Sequence, residues 1–259
     1  MTSLLVDIGN SRVKWTLLEG DRIDTTHQAV HHGEGESVAR VLQDALDRKP
    51  DDLIVANVAG RRFTEALAEA AAAAGGPRPR FVVSASTQCG VRNAYRDPAR
   101  LGVDRWAAII ASYTRSRSSS GAVPSCIIGA GTAVTFDAVR EDGQHLGGLI
   151  LAGPTLQAEA LAARTSDIGN VPVAASSRAE GLNLLGRTTE TAVAHGAWLA
   201  ISSALSRAVE IVEDATPSKP IVYLHGGYAE QLRAWLRFAV EVRENLVLEG
   251  LAAISKAKD

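Results

Sequence analysis

Residues Leu4 to Trp15 read L-L-V-D-I-G-N-S-R-V-K-W. An apolar run ends at Asp7, turns at Gly9-Asn10-Ser11 and resumes as Val13 to Leu18, which predicts a strand, a tight turn and a second strand. The pattern sets one carboxylate, one glycine, two small polar side chains and Lys14 at the mouth of a hairpin. Gly9 lets the backbone come close to a ligand, its neighbours supply N–H and side-chain donors, Lys14 can meet a phosphate charge, and Asp7 can hold a metal through water. Asn, Gly and Ser are also what ordinary turns are made of, so this stretch alone reads equally as a phosphate cradle or as a plain hairpin.

A second copy of the plan favours the cradle. Ser125 to Val139, S-C-I-I-G-A-G-T-A-V-T-F-D-A-V, repeats the apolar run, the Gly-rich turn Gly129-Ala130-Gly131-Thr132-Ala133 and an alternating strand. The two turns lie about half a chain apart, which predicts two halves built alike, residues 1–118 and 119–259, whose Gly-rich hairpins face each other across a nucleotide cleft. Ser116 to Ser125, S-R-S-S-S-G-A-V-P-S, has the composition of a linker between them.

Composition limits what else the chain does. Of 259 residues 46% are hydrophobic and 22% charged, an ordinary globular balance, and the formal charge is -2 with no long basic run, which argues against nucleic acid as a partner. No apolar stretch approaches the roughly 18 residues of a membrane span and no signal peptide pattern opens the chain, so a cytoplasmic protein is expected, without a membrane partner. Cys89 and Cys126 lack C-x-x-C spacing, and the six histidines are scattered apart from His31-His32, so no zinc site is expected.

Between the hairpins the chain alternates. Asp21 to His32 holds room for a third strand, Ser37 to Lys49 has helical spacing, Leu53 to Val58 reads as a strand, Arg61 to Ala74 as a helix and Phe81 to Val83 as a strand, an α/β pattern. Asn93 to Arg105, N-A-Y-R-D-P-A-R-L-G-V-D-R, then leads into a helix at Trp106, with Asp104 in its first turn. An acidic residue there suits the helix dipole whatever else it does. Its functional reading joins Arg105 and Tyr95: a carboxylate to take a hydroxyl proton, a guanidinium for an anionic group and an aromatic wall. In the second half Pro154 opens a helix to about Arg164, Thr165 to Ala179 is loop, and Thr188 to Glu213 is a long helix too apolar all round for a surface position, pointing to a core or subunit interface. Ile221 to Leu224 is a strand ending at His225-Gly226-Gly227, either an adenosine edge or a simple tight turn. Glu244 to Leu251 closes the second half.

With these residues in place the chain resembles the type III pantothenate kinases, the family also called Bvg accessory factor, within the actin, sugar kinase and Hsp70 superfamily. The resemblance runs through Asp7 to Trp15, Y-R-D-P-A-R-L-G-V-D-R at Tyr95 to Arg105, G-T-A-V-T-F-D at Gly131 to Asp137, G-G-L-I-L-A-G at Gly147 to Gly153, T-E-T-A-V-A-H-G at Thr189 to Gly196 and E-N-L-V-L-E-G-L at Glu244 to Leu251. It implies two ribonuclease H-like α/β halves with mixed sheets flanked by helices, and ATP-dependent phosphorylation of pantothenate to 4'-phosphopantothenate, the first step of coenzyme A biosynthesis. By the same resemblance Asp7, Ile8, Gly9, Asn10, Ser11, Arg12, Val13 and Lys14 bind the ATP phosphates, Asp7 with Mg2+, and Thr132 adds an ATP contact. Asp104 becomes the general base, Tyr95, Gly102, Val103, Asp104 and Arg105 bind pantothenate, and Thr189 reaches pantothenate across a homodimer interface. The chain departs from the family where an aspartate that helps hold a monovalent cation is Gly129 here, which puts a K+ or NH4+ site in doubt, and where Thr-Gly-Gly is His225-Gly226-Gly227. Two other readings fit similar turns: a superfamily phosphatase acting on polyphosphate or guanosine phosphates, and a nucleotide-binding regulator that has lost turnover. The Leu101 to Arg105 element argues against the phosphatase.

Overall fold

The apolar run that opens the chain becomes strand β1 (Thr2–Ile8), in which Leu4, Leu5 and Val6 are all buried, so both of its faces are covered. The computed structural model describes residues 1–31, 33–118, 121–173 and 180–257, and these divide into two compact units, Met1–Arg115 with Asn245–Asp259, and Ser116–Glu244.

In the first unit β1 pairs antiparallel with β2 (Arg12–Glu19), which pairs in turn with the short strands β3 (Arg22–Ile23) and β4 (His27–Val30). After helix α1 (Gly35–Asp47), β5 (Asp52–Asn57) returns parallel to the other side of β1, and after helix α2 (Arg61–Ala73), β6 (Arg80–Phe81) extends the sheet in parallel. Apolar residues at helical spacing, Val38, Leu42 and Leu46 on α1 with Phe63, Leu67 and Ala71 on α2, close over Leu4, Val6, Ile8, Val13 and Leu17 of the sheet. A two-stranded ribbon, β7 (Thr87–Gln88) with β8 (Val91–Arg92), precedes helix α3 (Val103–Ser116).

The last helix, Leu246–Lys256, packs against β1, β2 and β5. A Cβ at Gly250 would run into the Ala107 carbonyl of α3, so this glycine is required for close helix packing, and Arg115 pairs with Glu249 at 3.2 Å. The sequence reading that assigned 119–259 to one half is corrected here: the apolar face of this helix is buried in the first unit.

The second unit repeats the plan. The segment read as a linker contains two short strands, β9 (Arg117–Ser118) and β10 (Gly121–Ala122), which pair antiparallel, and its residues 119–120 lie outside the described residues. Strand β11 (Ser125–Ala130) then pairs antiparallel with β12 (Ala133–Val139), and β12 with β13 (His145–Ala152). Helix α4 (Pro154–Arg164) and the long α5 (Thr189–Ala215) follow, then β14 (Ile221–His225) parallel to β11, helix α6 (Ala229–Trp235), and β15 (Glu241–Val242) parallel to β14. The order β13-β12-β11-β14-β15 mirrors β3-β2-β1-β5-β6, an antiparallel hairpin on one side and a parallel crossover on the other. Thr188 and Thr191 form a reciprocal cap for α5, whose Trp198 stacks on Trp235 at 6.3 Å. Of the two roles its composition suggested, the core accounts for one face, with Val193, Trp198, Ile201, Leu205 and Val209 buried, while Leu199 and Ile211 are 41% and 54% exposed. Residues 174–179 of the expected loop lie outside the described residues.

Candidate active site

The register of the first hairpin sets its chemistry. Asp7 pairs directly with Lys14, and Ile8 with Val13. Because successive strand side chains alternate faces, Ile8 and Val13 are fully buried in the core while Asp7 and Lys14 share the opposite face. Side-chain contacts with nucleotide are thereby ruled out at Ile8 and Val13, which leaves only their backbone for that role. Asn10, Ser11 and Arg12 are exposed at the tip, and the Gly9 N–H donates to the Arg12 carbonyl at 2.9 Å to close the turn. A Cβ on Gly9 would sit 3.3 Å from that same oxygen, so the tightness of the turn explains the glycine.

Asp7 is electrostatically unusual. Its Oδ1 is buried and has no hydrogen-bond partner. Burial, reinforced by the Asp104 carboxylate and opposed by Lys14, raises its pKa from 3.8 to about 7. A buried oxygen of this kind accepts a bound cation or the water of one readily. Among the described residues no three His, Cys, Asp or Glu side chains are gathered as a metal cage. One carboxylate fits Mg2+ nevertheless, since that ion keeps several waters and takes its remaining ligands from substrate phosphates.

The second motif approaches from α3. Asp104 stands in its first turn, and its Oδ1 accepts the Arg105 N–H at 2.8 Å. Gly102 leaves space for that carboxylate in its present rotamer, since a Cβ there would lie 2.7 Å from the same oxygen. Arg105 is buried to 7% exposure; its Nη1 donates to the Tyr95 hydroxyl at 3.0 Å, and its guanidinium lies 5.7 Å from the centre of the Tyr95 ring. Val103 turns into the core, which limits it, like Ile8, to backbone contacts. The loop that carries Tyr95 is held by Asn93, whose side chain accepts the Tyr95 N–H at 3.0 Å and donates to the Ala85 carbonyl at 3.2 Å. Trp106 is fixed by its indole N–H on Gln88 at 2.8 Å. Thus one unit holds Asp7, Lys14, Asp104, Arg105 and Tyr95, with the two carboxylates close enough to feel each other's charge.

In the second unit Thr132 is exposed at the turn between β11 and β12, and its carbonyl accepts the Gly153 N–H at 2.9 Å. Gly153 caps α4, so the positive end of that helix lies beside the turn. A Cβ at Gly226 would overlap the Ala130 backbone, so His225-Gly226-Gly227 folds tightly against the end of β11. Thr189 begins α5, fully outside the core, and lines a 420 Å³ cavity with Gln157, Leu161, Ile168 and Val193. Gly129 supplies no carboxylate, and the space beside it is taken by side chains: a Cβ there would meet the Thr135 hydroxyl at 2.7 Å and His225 Nε2 at 3.1 Å. The residues present therefore do not fit a monovalent cation held by a carboxylate at this position.

Residues 3–211 match the family model of type III pantothenate kinase. The chain belongs to the type III pantothenate kinase family. A type III pantothenate kinase of Nitrosococcus oceani is 34% identical over 255 residues, covering 98% of this chain and 93% of that protein. Among solved structures, a conserved Baf family protein from Campylobacter jejuni aligns with a TM-score of 0.60 at 19% identity, over 98% of this chain and 97% of its own. A glucokinase from an Antarctic psychrotroph aligns with a TM-score of 0.50 at 13% identity, over 99% of both chains. At such identities the structural likeness concerns the fold alone, an α/β fold with mixed sheets flanked by helices. Membership of the pantothenate kinase family makes the protein an ATP-dependent kinase.

One residue of the site's surroundings escaped sequence reading. His31, which the sequence marks only as a neighbour of His32 without zinc spacing, is 1% exposed and its Nε2 lies 2.7 Å from the Gly9 carbonyl. The signal available was its place at the end of a short strand; its pairing with β2 was not.

Proposed function

We propose that the protein transfers the γ-phosphoryl group of ATP to the hydroxyl of pantothenate, giving 4'-phosphopantothenate and ADP in the first step of coenzyme A biosynthesis. The single observation that carries this reading is the gathering of a phosphate hairpin, Asp7 with Lys14, and the Asp104-Arg105-Tyr95 cluster in one unit, with Asp104 raising the pKa of Asp7. Phosphoryl transfer asks for positioning, charge neutralisation and a base beside the attacking hydroxyl, and these residue types supply each.

In this reading the Gly9 to Lys14 turn holds the phosphates through backbone N–H groups and the Lys14 ammonium, and Thr132 adds a contact from the second hairpin. Asp104 accepts the proton of the pantothenate hydroxyl as its oxygen attacks the γ-phosphorus and the bond to ADP breaks. Arg105 meets the pantothenate carboxylate beside the Tyr95 ring, with Gly102 and Val103 contributing backbone. Asp7 holds Mg2+, directly or through water, and that ion when bound neutralises charge on the phosphates. No step is assigned to K+ or NH4+.

The protein acts as a homodimer in the cytoplasm, with Thr189 of one copy reaching the pantothenate of the other. Supporting the dimer are Leu149 and Ile150 on the outer strand β13, 45% and 64% exposed, and Leu156 and Leu161 on α4, 42% and 41% exposed. No described helix is long and apolar enough to cross a membrane. ADP release by the purified protein with ATP and Mg2+ tests the reaction: release that requires pantothenate is expected, and pantothenate-independent release, or none, refutes it. A monomeric mass by light scattering at assay concentration would remove the role given to Thr189.

A further inference from the structure

His31 grips the turn of the first hairpin from both of its ends. Its backbone N–H donates to the Ser11 carbonyl at 3.3 Å, and its Nε2 lies 2.7 Å from the Gly9 carbonyl. The tautomer is set by the other ring nitrogen: Nδ1 accepts the Gly33 N–H at 3.1 Å, so the ring proton resides on Nε2, which donates to Gly9. The ring meets Phe63 edge-on, centroids 4.7 Å apart, and the His31 carbonyl accepts the Glu34 N–H at 2.8 Å. A residue 1% exposed with both ring nitrogens and both backbone polar groups engaged has one orientation open to it.

The carbonyls of Gly9 and Ser11 are thus committed to one side of the turn. In a trans peptide the C=O and the following N–H point in opposite directions, and the described chain has no cis peptide. Fixing the Gly9 and Ser11 carbonyls on His31 therefore fixes the Asn10 and Arg12 N–H groups facing away from it. We infer that His31 is a positioning residue for nucleotide: through two carbonyls it aims the backbone donors that receive the ATP phosphates. This rests on the reading of the Gly9 to Lys14 turn as the phosphate site. His31 touches no reacting atom. Its contribution is preorganisation, which spares the turn from being ordered at the moment of binding.

Two near-isosteric substitutions separate this role from general support of the core. The Gln amide nitrogen reaches the place of Nε2 and preserves the donation to Gly9, whereas the shorter Asn reaches only the place of Nδ1 and preserves the contact with Gly33. Steady-state kinetics of His31→Gln and His31→Asn, with Lys14→Ala as reference and melting curves for all three, form the test. Losing one such hydrogen bond predicts an ATP KM about tenfold higher for His31→Asn, with His31→Gln within about twofold of wild type and the pantothenate KM unchanged in both. Equal ATP KM values for the Gln and Asn variants would overturn the inference, as would a rise in the pantothenate KM that matches the rise for ATP. If instead Lys14→Ala leaves the ATP KM where it was, the placing of ATP at this hairpin is itself wrong, and that failure is read independently of His31.

Discussion

Asp7 and Lys14 are partners across the first hairpin, yet the Asp7 carboxyl holds its proton up to about pH 7, because burial and the Asp104 carboxylate outweigh the lysine. The folded chain then keeps a proton that the unfolded chain, with an Asp pKa near 3.8, has already released. Stability from this group is full below about pH 4 and declines as pH rises through the window to about 7. Asp7→Asn removes that dependence. The ligand-free variant is expected to be more stable than wild type by about 1–3 kcal/mol at pH 8, equal to it at pH 4, and inactive. Denaturant unfolding at the two pH values checks this; a constant difference between the proteins would show that Asp7 does not titrate in that window.

Asp104 is placed to accept a proton and is not part of the phosphate hairpin. Asp104→Asn is expected to lower kcat by about 10²–10⁴ while leaving the ATP KM within about twofold, measured as pantothenate-dependent ADP release. Retained turnover would move the base elsewhere.

Arg105 and Tyr95 form a unit joined by a 3.0 Å hydrogen bond, so their variants are graded. Arg105→Ala removes the cation and leaves the Tyr95 hydroxyl without its donor, and is expected to raise the pantothenate KM at least about a hundredfold, consistent with the strength of charge-assisted hydrogen bonds. Tyr95→Phe, which keeps the ring, is expected to raise it by about tenfold or less. Matching losses for ATP would indicate a folding defect instead.

Gly129 has the Thr135 hydroxyl and the His225 ring over its Cα in place of a carboxylate. The rate is therefore expected to be the same within about twofold whether K+, NH4+ or Na+ is the monovalent cation, since no anionic ligand at this position favours one ion over another. A rate in K+ or NH4+ ten times that in Na+ would require a cation site built elsewhere.

Much of the candidate site's local structure was legible because it is set by neighbours in sequence. Apolar runs interrupted by the Gly-rich turns at Gly9 and Gly131 declare hairpins, Pro154 marks the first residue of α4, and Gly102 and Asp104 lie within a single turn of chain. What the sequence hid depends on register and on distant pairing. Ile8 and Val13 belong to a phosphate motif by position, but the pleat sends their side chains inward, and only the pairing with Lys14 shows which face Asp7 takes. His31 acquires its role from the pairing of Arg12 with Val30 beside it, a contact between strands that no periodicity announces. The C-terminal helix carries an apolar face that fits any core, and nothing in its composition names the one it joins.

That helix has a consequence for how the protein is made. Gly250 lies against the Ala107 carbonyl, and Leu246, Leu248, Leu251 and Ile254 are buried in the unit that begins at the N-terminus. Residues 1–115 are therefore synthesised before 116–244, yet the unit they form is complete only once 246–256 have followed. Until that helix is made, the faces of β1, β2 and β5 that it covers remain open to water or to a chaperone, while the second unit, contiguous in sequence, already has all of its parts.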